Sequence, residues 1–229
     1  MKSADLNVRV QNHQDMHAFI EMAKALGYSA IVTTLETSAS YSKSSDIMVH
    51  SRLNLQSRKL SSLKNQIANI RGKYDIVAIP LAGVEITNWA AEDPRVDMIV
   101  VDPTEKHILR RTTAGLSADH GTILEIPISP LLTCTGIERS RILRVLRDAV
   151  SIAVQAKMTI ALSSGANLPI NMRSPVSLYH IGMILGLDKE QAKEAVLVTP
   201  ASILIRNAKR KSSSYLGPGI EIVQEDNEV

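Results

Sequence analysis

The sequence has one cysteine, Cys134, so an internal disulfide and a cysteine-based zinc cluster are both excluded. Aromatic residues make up only 3% of the 229 positions, with Phe and Trp present once each. The core must therefore rest on aliphatic side chains, and stacking platforms for unpaired bases are scarce. Long apolar runs are missing as well. No stretch approaches the roughly eighteen uncharged apolar residues of a membrane span, and no apolar run follows Met1-Lys2-Ser3-Ala4-Asp5. We therefore expect a chain that is not exported and that works in a reducing cytoplasm. Nucleotide-cradling motifs of the G-x-x-x-x-G-K-[ST] and G-x-G-x-x-G types do not occur, and Ser163-Ser164-Gly165-Ala166 is not a G-x-S-x-G nucleophile elbow.

What is present is aliphatic and mildly basic. Hydrophobic residues reach 45% and the formal charge is +3. The last nine residues hold Glu221, Glu225, Asp226 and Glu228 with no base, so the body before them carries roughly +7. A basic body points to a polyanionic partner.

Short runs rich in β-branched residues alternate with segments of helical period, the pattern of repeated βα units around parallel strands. The strand candidates are residues 5–10, 29–34, 46–55, 74–80, 96–101, 122–128 and 158–163. Met16, Ile20 and Ala23, and Leu60, Leu63, Ile67 and Ile70, each mark one buried helix stripe. In the third strand, Ile47, Val49, Leu53 and Leu55 fall on one face. Met48, His50, Arg52 and Asn54 fall on the other, so this strand is expected to be half exposed with Arg52 outward. A long helix follows Gly136, with Arg141, Arg144 and Arg147 toward solvent. Ser174-Pro175, Asp188 with Gln191, and Thr199-Pro200 predict three more helix starts. With about seven strands and as many helices, the expected fold is α/β, a single-domain (β/α) barrel over residues 1–211, ahead of an open doubly wound sheet. Residues 212–229 read as a weakly ordered acidic tail, and residues 38–45 as a Ser-rich loop.

A barrel places chemistry at the C-terminal ends of its strands, where Thr33, Thr34, Asp102, Ser163 and Ser164 stand. They include no base poised beside a nucleophile. His13 and His17 lie one helical turn apart but lack the glutamate of H-E-x-x-H. Catalytic and metal-binding residues are accordingly expected to be absent from the chain. Dispersed cations are the positive feature. Lys43, Arg52, Arg71, Lys73, Arg95, Lys106, His107, Arg139, Arg141, Arg173 and Arg206 are the candidate RNA contacts, because such groups neutralise phosphates and release counterions without reading bases. Two other classes stay open: a metal-dependent phosphoesterase with Asp102, His107 and His120 as partial ligands, and a purely protein-binding scaffold.

The ordered set Ala4-Asp5-Leu6-Asn7-Val8, Leu26-Gly27-Tyr28, Ser51-Arg52-Leu53, Tyr74-Asp75-Ile76-Val77, Arg95-Val96-Asp97-Met98-Ile99, Arg139-Ser140-Arg141, Ser163-Ser164-Gly165-Ala166, Met172-Arg173-Ser174-Pro175 and Arg206-Asn207 resembles the archaeal ribonuclease P protein component 3 family, related to the Rpp30 subunit. The resemblance spans nearly the whole chain. It implies a barrel akin to the polymerase and histidinol phosphatase superfamily, whose metal-dependent members begin with D-L-H-x-H. Here Asn7 and Arg9 stand where metal-binding histidines would. It also implies a role in removing 5′ leaders from precursor tRNA, with magnesium held by the RNA and no cofactor held by the protein. The implied partners are the ribonuclease P RNA, a Pop5-type protein subunit, the other protein components and the precursor tRNA. Where the family carries an arginine just before Trp89-Ala90, this chain has Asn88.

Overall fold

A computed structural model describes residues 3–35, 46–211, 215–217 and 220–221. Among these residues, seven strands form one all-parallel sheet in sequence order: β1 (Ala4–Val8), β2 (Ala30–Thr33), β3 (Met48–Asn54), β4 (Ile76–Pro80), β5 (Met98–Val100), β6 (Ile123–Pro127) and β7 (Ile160–Ser163). Parallel neighbours need crossovers, and the helices supply them. They are α1 (Met16–Ala25), α2 (Leu60–Ile70), α3 (Val84–Glu92), α4 (Arg111–His120), α5 (Ser129–Thr133), α6 (Gly136–Gln155), α7 (Pro175–Leu185), α8 (Lys189–Lys193) and α9 (Thr199–Arg210).

The sheet closes where β7 meets β1. Val8 and Ala166 form a parallel bridge, the Arg9 N–H donates to the Ala166 carbonyl at 2.7 Å, and the Ser164 N–H donates to Asp5 Oδ1 at 3.1 Å. The turn that permits this needs Gly165, at φ 62°, because a Cβ there would stand 2.8 Å from Pro127 Cβ. The backbone groups of this turn are thus used in closing the barrel. Ser164 O accepts from Ser129 N–H, and Ala166 N–H donates to Ser164 Oγ.

Outward-facing Val77, Ile79, Ile99, Leu124 and Ile126 pack beneath Leu63, Ile67, Leu146 and Leu178 of the surrounding helices. Full burial of each such aliphatic contributes about 1.5–3 kcal/mol. The interior is filled by Leu6, Val32, Ile76, Ala78, Met98 and Ala161, with Ile203 of α9 plugging the N-terminal end.

On the polar face of β3, Met48 and Asn54 are exposed at the two ends, but Arg52 does not meet solvent. Arg52 is fully buried, and its guanidinium lies inside the barrel. Helices cover the outside of a barrel strand, so the apolar set Val49, Leu53 and Leu55 faces outward. The opposite face turns toward the barrel axis.

Ser174 caps α7 by accepting from the Ser177 N–H at 3.2 Å, and Asp188 and Gln191 form the capping box of α8. At Thr199-Pro200 the helix α9 starts where expected, but Thr199 is not its cap. Thr199 is itself helical (φ −58°, ψ −47°), and a π-helical turn, Glu194–Val198, runs straight into α9. Pro200 offers no N–H to the preceding turn, which suits a locally widened ladder better than a fresh start. In the tail, the backbone pairs Tyr215–Gly217 with Ile220–Glu221 in antiparallel sense. The Ser-rich loop, with Lys43, and most of the tail lie outside the described residues.

Candidate nucleic-acid interface

Four of the dispersed cations converge at the N-terminal end of the barrel. Arg71 and Lys73 form a short 3-10 turn between α2 and β4, Arg95 lies just before β5, and Arg206 stands on α9. Arg71 and Arg206 are organised by Asp97, fully buried at the start of β5. Its carboxylate accepts from Arg71 Nη2 at 2.9 and 3.1 Å, from Arg206 Nη2 at 3.3 Å and from the Val77 N–H at 2.9 Å. Arg210 Nη1 completes the group at 3.5 Å.

Each guanidinium also donates to a loop carbonyl: Arg71 to Tyr74 O at 3.0 Å, Arg206 to Gly121 O at 3.2 Å and Arg210 to Pro94 O at 3.2 Å. Three cations thus share one buried anion, and two positive charges remain uncompensated within the group. Burial pushes the Arg206 guanidinium below its ordinary value despite the opposing pull of Asp97, and the neighbouring Arg210 and Arg71 act in the same downward direction.

A second carboxylate extends the face. Asp75 accepts from Lys211 Nζ at 2.6 Å and from the Ser51 N–H at 2.8 Å, with His50 Nδ1 at 3.6 Å. Burial pushes its carboxyl up, but the His50, Lys211 and Ser51 contacts outweigh this and hold it well below the usual carboxylate range. Arg95 forks onto Asp93 at 2.8 and 2.6 Å, and Lys73 is exposed. Such an excess of fixed cations, held in place by buried carboxylates, is suited to neutralising phosphates.

Sequence reasoning named Arg71, Lys73, Arg95 and Arg206 but missed Asp97, the residue that gathers the arginines. The spacing of Arg206 and Arg210, one helical turn apart on α9, was the available signal.

The remaining candidates lie elsewhere. Lys106 and His107 are exposed in the loop after β5, and Arg139 and Arg141 are exposed on the first turns of α6, all near the C-terminal end of the barrel. Arg139 Nε donates to Cys134 O at 2.7 Å. Arg173 donates to Ile170 O and Met172 O, and Asp102 accepts from Thr104. Arg52 leaves the surface set altogether. It lies inside the barrel and donates to Glu125, to Leu6 O at 2.7 Å and to Asn54 Oδ1 at 2.8 Å. Asn88 accepts from Thr113 Oγ1 at 2.6 Å, which ties α3 to α4.

The sequence matches the family described as RNase P subunit p30 over residues 2–212. The chain belongs to that family. Among curated relatives of this p30-family chain, ribonuclease P protein component 3 of Methanosarcina barkeri is 28% identical over 211 residues, covering 89% of this chain and 87% of the relative. The same-named protein of Natronomonas pharaonis is 26% identical over 230 residues, covering 96% of each. A chain from the cryo-EM structure of archaeal ribonuclease P with mature tRNA superposes with a TM-score of 0.79 at 19% identity, covering 97% of this chain and all of that one. Histidinol phosphate phosphatase from Lactococcus lactis superposes with a TM-score of 0.53 at 10% identity, covering 83% of this chain and 94% of that one. These two likenesses show the barrel fold.

A metal centre of the kind that the phosphatase fold suggests does not fit this p30-family barrel. Its C-terminal mouth presents Asn7, Arg9, Arg52 and Asn54. A guanidinium repels a divalent cation. Among the described residues, no three His, Cys, Asp or Glu side chains converge to hold a metal ion. The alternative ligand set also falls apart in space: Asp102 and His107 precede α4, whereas His120 ends it, a helix of ten residues and about 15 Å away. No helix among the described residues is long and apolar enough to cross a membrane.

Proposed function

We propose that this p30-family chain acts as a noncatalytic, RNA-binding subunit of ribonuclease P, which removes 5′ leaders from precursor tRNA. The observation that carries this reading is the gathering of Arg71, Arg206 and Arg210 on Asp97 beside Lys73, Arg95 and Lys211. That face offers fixed positive charge and no reactive group. Its chemistry is the binding of phosphates in a set geometry, which supplies affinity and orientation while the RNA, with its magnesium, carries the cleavage. The partners that follow are the ribonuclease P RNA, a Pop5-type protein subunit, the other protein components and the precursor tRNA.

Reconstitution of precursor-tRNA cleavage tests the proposal. The isolated chain should cleave nothing, and adding it with its partner protein should raise the activity of the RNA at low magnesium. Chelator-sensitive cleavage by the RNA-free chain would overturn it in favour of the phosphoesterase reading. Equal activity with and without the chain, together with no salt-dependent RNA affinity, would favour the scaffold.

A further inference from the structure

We propose that the C-terminal mouth of the barrel binds a single unpaired nucleotide, its base over Asn7 and its phosphate at Arg9. The inference rests on the RNA-binding reading above but concerns the opposite end of the molecule from the basic face. The mouth is a cavity of about 390 Å³, within the ~300–1,000 Å³ range of small-ligand sites. Beneath it, at the end of β1, lies Asn7, fully buried. Neither its Oδ1 nor its Nδ2 has a hydrogen-bond partner. Buried carboxamides are ordinarily paired, so a donor and an acceptor left bare side by side at a cavity floor mark a place for a complementary group.

The surroundings say which group. Arg52 is the only cation beside Asn7 at this depth among the lining residues, and Glu125 already neutralises it. The floor is therefore polar but close to neutral. Asp102, also lining the cavity, adds a negative charge that disfavours a bare phosphate. A neutral nucleobase fits this floor, because each base presents an adjacent donor and acceptor on one edge, the pair that an Asn or Gln amide reads. Gln56 and Asn54, both exposed at the rim, add further amides, and Pro103 and Pro127 supply flat apolar wall. Arg9 is exposed at the same rim and is the cation placed to meet the nucleotide's phosphate. Recognition here is by edge and shape, consistent with the absence of aromatic residues from the lining.

The test is an amide-resonance titration of the full chain with adenosine 5′-monophosphate, with ribose 5-phosphate and inorganic phosphate as controls, and with whole ribonuclease P RNA binding followed in parallel. The nucleotide should saturate in the millimolar range or below, shifting resonances at the ends of β1, β3 and β5, while the base-free controls leave them in place. Asn7→Ala should weaken it about tenfold or more. Gln56→Ala, on an exposed side chain that cannot compromise folding, should weaken it by a smaller factor. Equal shifts with ribose 5-phosphate or phosphate would make the mouth a mere anion site and overturn the proposal. So would silence at saturating nucleotide, or an Asn7→Ala variant that is folded and binds undiminished. Silence toward the nucleotide with intact salt-dependent RNA binding refutes this inference alone, whereas loss of RNA binding in the unaltered chain refutes the reading on which it rests.

Discussion

Arg52 and Glu125 meet inside the barrel, each shut off from solvent, with the guanidinium Nη2 donating to the carboxylate Oε2. Ser163 Oγ donates to the other carboxylate oxygen at 2.5 Å, and the remaining nitrogens of Arg52 reach Leu6 O and Asn54. The pair links β1, β3, β6 and β7 across the interior. A charge so placed is tolerated only because every part of it is met.

Replacing one partner should therefore cost stability and leave RNA contacts alone. Arg52→Ala strands Glu125 without a countercharge, and we expect a loss of about 3–5 kcal/mol in urea denaturation. The double replacement Arg52→Met with Glu125→Leu removes both charges and should cost less than the single change. A stable Arg52→Ala variant whose RNA affinity loses salt dependence would return Arg52 to the surface set.

Most of the barrel was legible in the sequence. The seven strand candidates coincide with the seven strands to within a few residues, because runs such as Ile76–Pro80 and Ile123–Pro127 are apolar on both faces, as strands buried between helices and a barrel interior must be. The error at β3 has one physical source. Alternation reveals which residues share a face, but a barrel has two buried faces, and alternation alone does not say that the polar one points inward. The basic face was legible only in pieces. Arg71 and Arg206 are far apart in sequence, and the aspartate that joins them is one buried polar residue within an apolar strand start.

Asp5 gives the chain a pH dependence of defined sign. Burial raises its carboxyl to about 6, against an ordinary value of 3.8, with the Ser164 and Asn7 hydrogen bonds pulling the other way. The folded state then holds this proton more tightly than the unfolded chain. The contribution of Asp5 is most favourable below pH 3.8 and declines as pH rises to about 6. Asp5→Asn removes the buried charge while keeping an acceptor for the Ser164 N–H, so it should raise stability at pH 7 by about 2–3 kcal/mol and by nothing near pH 3. Asp75, held below its ordinary value, acts in the opposite sense and loses its contribution only under acid. Denaturant midpoints for the parent and Asp5→Asn across pH 4 to 8 check this. A difference that does not grow with pH would be incompatible with a raised Asp5.

Gly165→Ala should destabilise the barrel at its closure. The residue is left-handed, and the added methyl would meet the Pro127 side chain, so two penalties act together. We expect a loss of about 1–3 kcal/mol by thermal or urea melts. Gly121→Ala shares the positive φ but meets nothing within 4 Å, so it should lose only the backbone part. Equal losses at the two sites would show that the contact with Pro127 relaxes freely.

The basic end and the opposite rim make different predictions for RNA binding. Lys73 is exposed, and Arg206 keeps about a third of its side chain accessible, so each can meet a phosphate without first being extracted from the core. If each neutralises one phosphate, Lys73→Ala and Arg206→Ala should each lower the slope of log affinity against log salt by about one unit. Lys73→Ala should leave the melting temperature unchanged, since its side chain is solvated. Arg206→Ala should lower it slightly, because Asp97 retains Arg71 and Arg210. Asp97→Asn is the complementary variant. It leaves three guanidiniums in mutual repulsion around a neutral amide and should cost on the order of 2 kcal/mol, reduced from the fully buried case by the partial exposure of the arginines. The same titrations on Lys106→Ala and Arg141→Ala report on the far rim. If those two lower the slope while Lys73→Ala and Arg206→Ala do not, RNA meets the C-terminal end of the barrel, and the cluster on Asp97 is a structural clamp that ties α9 to the strands it covers.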